Sequence, residues 1–573
     1  MFTERERERD AGSPLERSPL HIHYYIQICS ISSLCGVSLA KIQNKFRHSK
    51  EKEKKRLWSE KIVVPLQNKN PPSLFIMLKP AGRFAKYNDM ISFSLALVAL
   101  LIGYLVYGTL VERMFGIEPE RQTPAYTKTD GVDYQPMPRW KVFLIQFLNI
   151  AGTGPIFGAI MGIQFGPAAY LWIVLGCIFI GGFHDYMSGM ISLRKDGLSL
   201  PEVLGDELGT GVRYLMRVLS MLLLVLVGTV FVVTPADLLA EMTSNIQFTV
   251  HGAQFTMGSP LMWFFIILLY YMLATMLPIS TLIGRLYPLF GISLLLMAVL
   301  ACYGIYNHAM PGYVPELTDG LSGWHPKGLP IFPMLCITIA CGAVSGFHGT
   351  QSPIMSRCLT NERDGRIVFY GAMITEGVVA LLWAAAAIKY AGSYEHLAEL
   401  GTPAVVVNMV CQTWFGRVGA ILAVLGVVAA PITSGDTAFR SARLIVADML
   451  HISQKQFSRR FLIAIPMFAI AIGLRFLDFN VLWRYFAWTN QTLACATLWA
   501  VTIWMARRRK CYWMGFLPAL FMTSVSTTYI LVAPEGLQLP WLPSLIAGLV
   551  VTLLSAVAFF AWIIQKKKAQ PTS

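Results

Sequence analysis

Four proton-binding side chains stand inside otherwise apolar runs. His184 and Asp185 lie in "GGFHDYMSGM", His348 in "CGAVSGFHGTQSPIM" and Glu376 in "FYGAMITEGVVALLWAAAA". Ionisable groups are expensive at membrane depth, and those found there mark substrate or proton pathways. A histidine in such a place donates, accepts or takes up a proton near neutral pH. The set predicts proton coupling by Glu376, His348, His184 and Asp185. Each residue also has a plainer reading. His348 could stay neutral and bond to backbone, and Glu376 could bridge two helices. His184 and Asp185 could pair structurally with Arg194 or another loop cation.

Two glycine-rich interruptions followed by proline come next: "NIAGTGPIFGAIMG" (149–162) and "CGAVSGFHGTQSPIM" (341–355). An unwound helix bares N–H and C=O groups, which lipid tolerates only where they line a polar cavity. Half-helix N-termini suit a carboxylate, and free carbonyls suit a cation. Gly152, Thr153 and Gly154 in the first break are therefore substrate-binding candidates. So are Ser345, Gly346, Gly349, Thr350 and Gln351 in the second. The competing reading is close helix packing, with Gly154, Gly158 and Gly162 as a small-xxx-small row. Gln146 and Asn149, just before the first break, either point into the cavity or bridge helices. In "APITSGDTAF", Thr433, Ser434 and Asp436 resemble a hard-cation site. Ser434 or Asp436 also reads as a cap for "TAFRSARLIVADML", an amphipathic helix. Asp237 reads as a cap too.

These groups need elements to hold them. The chain has 573 residues, of which 55% are hydrophobic and only 14% charged. A soluble protein carries about a quarter charged residues, so the composition indicates a polytopic, all-α membrane protein. About 20 apolar residues cross a bilayer. On that basis spans fall near 91–113, 143–163, 168–192, 213–233, 260–279, 285–306, 331–349, 367–390, 416–434, 459–476, 484–506, 511–532 and 541–564, thirteen in all.

The net charge of +15 is not a nucleic-acid signal, because much of it lies in the first 86 residues and in short loops. Alternate loops carry it: Arg194, Lys195 and Arg213; Arg357, Arg363 and Arg366; Arg440, Arg443, Lys455, Arg459 and Arg460; "RRRK" at 507–510. The loops between are nearly bare. By the positive-inside rule the C-terminus is cytoplasmic and the first span starts outside. Residues 1–89 conflict with that placement, and they read as a disordered or non-native extension with the start at Met90 or Met77. A basic tail with a weak span at 21–40 is the alternative.

Residues 90–142 then hold the first span and a cytoplasmic loop. Two five-span groups follow, 143–306 and 331–506, and 511–573 adds two spans and a basic tail. Each group opens with an interrupted helix. Each closes its third helix with a Thr/Pro/Asp cluster, "VVTPADLLA" or "APITSGDTAF". Loop charge makes the groups inverted. Five plus five inverted spans with a broken first helix is a transporter architecture of the LeuT type. No Walker A, HExxH or GxSxG sequence occurs, so neither an ATP-driven pump nor an intramembrane hydrolase is suggested. The ten cysteines are scattered without metal-ligand spacing, and no cofactor is implied.

The stretches "QFLNIAGTGPIFGAIMGIQFGPAAYLWIVLGCIFIGGFHDYMSGMISLR" and "GAVSGFHGTQSPIMSRC" resemble the carbon starvation protein A (CstA) family of bacterial inner-membrane proteins. The likeness begins near residue 90, and the chain from Met90 looks like the family's shorter form. The resemblance implies uptake of small nutrients under carbon limitation, linked to peptides and to ion-driven pyruvate uptake. The expectation is a multi-pass symporter embedded in lipid. It carries a small carboxylate substrate with a proton, or alternatively is a sodium-coupled peptide or amino acid symporter. A non-transporting nutrient sensor is the other class, a channel a third, and an enzyme is disfavoured.

Overall fold

The computed structural model describes residues 90–569 apart from 245–246, 251–252, 278–282, 308–311 and 455, together with two strands upstream. Those strands, Lys61–Leu66 and Ser73–Leu78, pair antiparallel within a unit of their own, Met1–Tyr87. The rest of the extension, including the run 21–40, lies outside the described residues.

The second unit is helical, as the composition predicts. Counting helices of eight residues or more, α1 is Ile91–Phe115, α2 Arg139–Ile150, α3 Gly154–Gly162, α4 Ala168–Leu175, α5 Gly182–Arg194, α6 Leu200–Leu208, α7 Thr210–Met242, α8 Pro260–Met276 and α9 Ile283–Tyr306. Then come α10 Ile331–Thr338, α11 Gly346–Ser356, α12 Ala372–Ala391, α13 Pro403–Ala423, α14 Ala429–Leu450, α15 Phe457–Leu474, α16 Phe479–Arg507, α17 Trp513–Val532 and α18 Trp541–Ala569. Widened π turns join α4 to α5 (Gly176–Gly181), lead into α12 (Arg366–Gly371) and join α13 to α14 (Val424–Val428). A short hairpin of Gln247–Val250 and Ala253–Thr256 follows α7. The aromatic and β-branched residues of "QFTV" favour extended chain there.

Eight segments are long and apolar enough to cross a membrane: Ile91–Phe115, Ala168–Arg194, Thr210–Ala240, Leu289–Tyr306, Glu362–Ala391, Phe457–Leu474, Trp513–Val532 and Trp541–Lys566. The pair α2 and α3, bent by 46°, makes a ninth if taken as one span. Four expected spans, 260–279, 331–349, 416–434 and 484–506, fall on helices outside that set. The first is the 17-residue α8. The second is broken between α10 and α11. The last two lie on helices rich in polar groups, such as Thr433–Asp436 and Thr489–Gln491. Helices packed against protein rather than lipid tolerate such groups. By contrast α1 and α18 carry rows of exposed apolar side chains, including Leu95, Leu105, Val106, Leu553 and Leu554.

Ion pairs tie the basic loops together. Arg194 pairs with Glu362 at 2.9 Å and Glu118 at 3.3 Å, and Lys510 Nζ donates to Phe115 O at 2.7 Å. Glu207 meets Lys195, Arg507 and Arg508. Asp133, in the loop before α2, is buried between Arg440 at 3.2 Å and Arg443 at 3.5 Å. Burial pushes its carboxyl up, but Arg443, Arg440 and Arg357 outweigh that and hold it below the usual carboxylate range.

Candidate functional site

The two interruptions are real gaps in helix. α2 ends at Ile150, Ala151–Thr153 are not helical, and α3 begins at Gly154 with Pro155 in its first turn. α10 ends at Thr338, and α11 starts only at Gly346 after Ser345. Proline at the start of α3 lacks only an N–H that no helix would use there.

The breaks lie face to face. A Cβ added at Gly154 would stand 2.6 Å from Cys341 Sγ, and one at Gly158 would stand 2.8 Å from Thr338 O. Gly162 faces Ile339 as closely. The small-residue row is therefore a packing surface, as its spacing allowed, and the surface it meets is the second break. Gly152 sits against Ser434 Oγ and Phe231, and Gly346 against the backbone of α16 at Asn490.

The substrate reading of the second break needs correction. Gly349, Thr350 and Gln351 lie inside α11, not in unwound chain. The end of α11 expected to meet a carboxylate is met by Asn490 of α16. Asn490 Oδ1 accepts from Phe347 N–H at 2.8 Å and from Ser345 Oγ at 3.0 Å. Gln491 Nε2 donates to Val344 O at 2.9 Å. Sequence reasoning missed this pair. Two adjacent amides in "AWTNQTLA", within a stretch taken as a span, were the signal. Thr350 Oγ1 donates to Phe347 O at 2.6 Å and accepts from Gln351 Nε2 at 3.1 Å.

The four proton-binding residues form one row. His184 Nδ1 and Asp185 Oδ1 are 2.8 Å apart, as are Asp185 Oδ2 and His348 Nδ1. His348 Nε2 lies 3.4 Å from Glu376 Oε2, close but outside hydrogen-bond geometry. All four side chains are fully buried, and they come from α5, α11 and α12. The expected structural pairing of Asp185 with Arg194 does not occur, because Arg194 is held by Glu362. Asp185 thus bridges the two imidazoles, one carboxylate oxygen to each Nδ1. A Cβ added at Gly349 would stand 3.2 Å from His184 Cε1, so glycine keeps the helix close against the row. One π turn ends at Gly181, just before His184, and another ends at Gly371, little more than a turn ahead of Glu376. Such widened turns recur at functional sites.

The reading of Ser434 or Asp436 as a cap is also corrected. Helix α14 begins at Ala429 and runs through all three, so none of them caps it. Thr433 Oγ1 donates to Ala430 O at 2.7 Å, and Ser434 Oγ to Leu148 O at 2.8 Å, tying α14 to the end of α2. Asp436 Oδ2 accepts from Tyr270 OH at 3.3 Å. Ser434 Oγ also reaches Ala430 O at 3.2 Å, and no group of three or more His, Cys, Asp or Glu suited to a metal ion occurs among the described residues. Asp237 lies inside α7 and pairs with Arg475 at 3.3 Å rather than capping.

The sequence model of carbon starvation protein CstA matches residues 88–256 and 242–417, more than half of the chain. The chain belongs to the CstA family. A membrane protein of Haemophilus influenzae is 45% identical over 332 residues, covering 51% of this chain and 89% of that protein. The peptide transporter CstA of Bacillus subtilis is 30% identical over 339 residues, 50% of this chain and 56% of that one. The pyruvate/proton symporter BtsT of Escherichia coli is 27% identical over 334 residues, 49% and 46% respectively. The chain thus spans about half the length of these two transporters. Both interruptions and the whole buried row fall within the matched CstA region.

Proposed function

We propose that this CstA-family chain is a secondary active transporter of the bacterial cytoplasmic membrane. It brings a small carboxylate-bearing nutrient, pyruvate or a short peptide, inward together with a proton. The observation that carries this reading is the buried row His184–Asp185–His348–Glu376, set beside two facing helix breaks. A buried carboxylate next to an imidazole nitrogen changes the charge of the row by one unit when it binds a proton. That change makes the unprotonated row hostile to an anion and the protonated one hospitable.

In this scheme Glu376 carries the coupling proton and shares it with His348 Nε2, while Asp185 orients both imidazoles. The substrate carboxylate sits at the first break, near the Thr153 hydroxyl, which has no partner among the described residues, because Asn490 already occupies the N-terminus of α11. Packing of corresponding parts is consistent with the five-plus-five inverted repeat, and the alternating loop charge places the C-terminus in the cytoplasm. Break lies on break, and α7 packs along α14. Names of relatives as a peptide transporter and a pyruvate/proton symporter agree with the reading.

The test is uptake into proteoliposomes of labelled pyruvate and dipeptides, under an imposed proton gradient, with and without sodium. Accumulation that follows the proton gradient and ignores sodium is the expected result. Binding without accumulation would mean a sensor, and equilibration that no gradient can concentrate would mean a channel.

A further inference from the structure

Helices α16 and α18 both pack along α17, and an open groove of about 360 Å³ runs between them. Trp499 and Ile503 of α16 and Ser555, Phe559 and Trp562 of α18 form its walls, with Leu208 of α6 beside them. On α16 the stripe Trp499, Ile503 continues one turn further to Arg507, the last residue of that helix. On α18 the stripe Ser555, Phe559, Trp562 continues one turn further to Lys566. Each wall therefore ends in a cation. The two cations meet the same ring: Lys566 Nζ lies 5.3 Å and the Arg507 guanidinium 5.9 Å from the centre of Trp562.

The walls are apolar because their polar atoms are already used. Trp499 Nε1 donates to Thr523 Oγ1 at 2.9 Å, and Ser555 Oγ to Val551 O at 2.9 Å. The Phe559 ring lies 5.1 Å from Phe516 of α17 and 5.9 Å from Trp499, so aromatic carbon makes the floor. The mouth is the reverse. Arg507 and Arg508 share one carboxylate, Glu207, at 3.2 and 3.5 Å, and Lys566 has no carboxylate partner among the described residues. Even with Lys195 assigned to Asp206 at 2.8 Å, three cations face a single anion.

Length and charge name the occupant. From Ser555 to Lys566 the helix rises about 16 Å, and one leaflet of the hydrocarbon core is about 15 Å deep. An acyl chain fits that length, and a phosphate at its end meets the cations, as basic pockets between membrane helices meet anionic headgroups. A second copy of the chain would bring an equally positive mouth against this one. We infer that the groove is a site for one anionic phospholipid, with an acyl chain along Trp499 and Phe559 and its phosphate held by Lys566 and Arg507. A groove of about 380 Å³ nearer the start of α18, lined by Phe332, Phe521 and Leu549 among others, has no basic side chain over its rings among the described residues and serves as the neutral counterpart.

The experiment is native mass spectrometry of the purified full chain in a neutral detergent, titrated separately with phosphatidylglycerol and phosphatidylcholine of the same acyl chains. The wild type should retain one phosphatidylglycerol saturably and phosphatidylcholine only in a weak, unsaturable series. Lys566→Gln and Arg507→Gln should each weaken the retained phosphatidylglycerol about fivefold, the effect of one basic side chain at an anionic headgroup, and leave phosphatidylcholine unchanged. Ala558→Leu fills the groove from an exposed position and should abolish saturable binding with both cations in place. Should Arg507→Gln lower the thermal midpoint through its lost contact with Glu207, Lys566→Gln decides. Equal affinity for the two lipids would overturn the site, as would undiminished phosphatidylglycerol in Lys566→Gln. Displacement of the lipid by glycerol 1-phosphate would overturn it too, because a headgroup alone would then suffice. A dimer that Ala558→Leu dissociates would give the groove to a second copy instead.

Discussion

Glu376→Gln removes one proton site and little else. The side chain keeps its volume, its position on α12 and a polar atom toward His348 Nε2, which lies 3.4 Å from Glu376 Oε2 in the wild type. If one proton accompanies each substrate, a gradient of one pH unit supplies about 1.4 kcal/mol and holds about a tenfold accumulation. A zwitterionic dipeptide moving with a proton also carries one net charge, worth about 2.3 kcal/mol, or roughly fiftyfold, per 100 mV. Pyruvate with a proton is electroneutral and answers to the pH gradient alone. In the variant the accumulation ratio should drop to one for either substrate under the pH gradient alone, and for the dipeptide under the potential as well. Counterflow should persist, because exchange returns a loaded carrier without releasing its proton. The assay is paired net uptake and counterflow on the same vesicles, with the thermal midpoint as a check on folding. Tenfold accumulation per pH unit in the variant would refute Glu376 as carrier. Loss of counterflow together with a lowered midpoint would make it a packing group instead.

Asp133→Ala strips the shared partner from two buried guanidiniums, Arg440 and Arg443, and should lower stability by about 3–5 kcal/mol in detergent unfolding. Because the folded carboxyl is held below its ordinary value, the wild-type contribution is fully present at neutral pH. It is lost only as the pH falls below about 3.9, so the gap between wild type and variant should narrow in that acid range and nowhere above it. Asn490→Leu takes the acceptor from Phe347 N–H and Ser345 Oγ and should cost about 1–3 kcal/mol by thermal unfolding, with Asn490→Asp largely sparing it. Gly158→Val drives a methyl group toward Thr338 O, where even a Cβ would stand at 2.8 Å. It should cost about 1–3 kcal/mol or prevent assembly, read as loss of the monodisperse peak in size-exclusion chromatography.

The buried row was legible because an ionisable group in an apolar run stands out one residue at a time. What joins Asp185 to His348 is a contact across 163 positions, which no local pattern carries. Both helix breaks were legible from glycine and proline, although the second was drawn too long, since Gly349–Gln351 propagate a helix once Asn490 caps its start. Asn490 itself stayed hidden because a polar pair within a hydrophobic stretch has no meaning until the segment it meets is known. The cluster at Thr433–Asp436 misled for a physical reason. Hydroxyl and carboxyl residues stop helices in water, yet inside a bundle they turn back onto carbonyls, as Thr433 does to Ala430, and the helix runs on. The helices that fall short on apolarity, α14 and α16, answer in sequence to protein neighbours rather than to lipid, whereas α8 falls short on length alone and exposes Leu261, Phe265, Leu269 and Leu273.

The row of bare backbone along α3 has a kinematic consequence. With Gly154, Gly158 and Gly162 pressed onto Cys341, Thr338 and Ile339, the paired segments have no side chains to slide over and no slack to part. They must travel as a single keel. In the transport cycle proposed above, whatever swings open to admit or release cargo would pivot around that keel, at the joints beyond its two ends, and not through it.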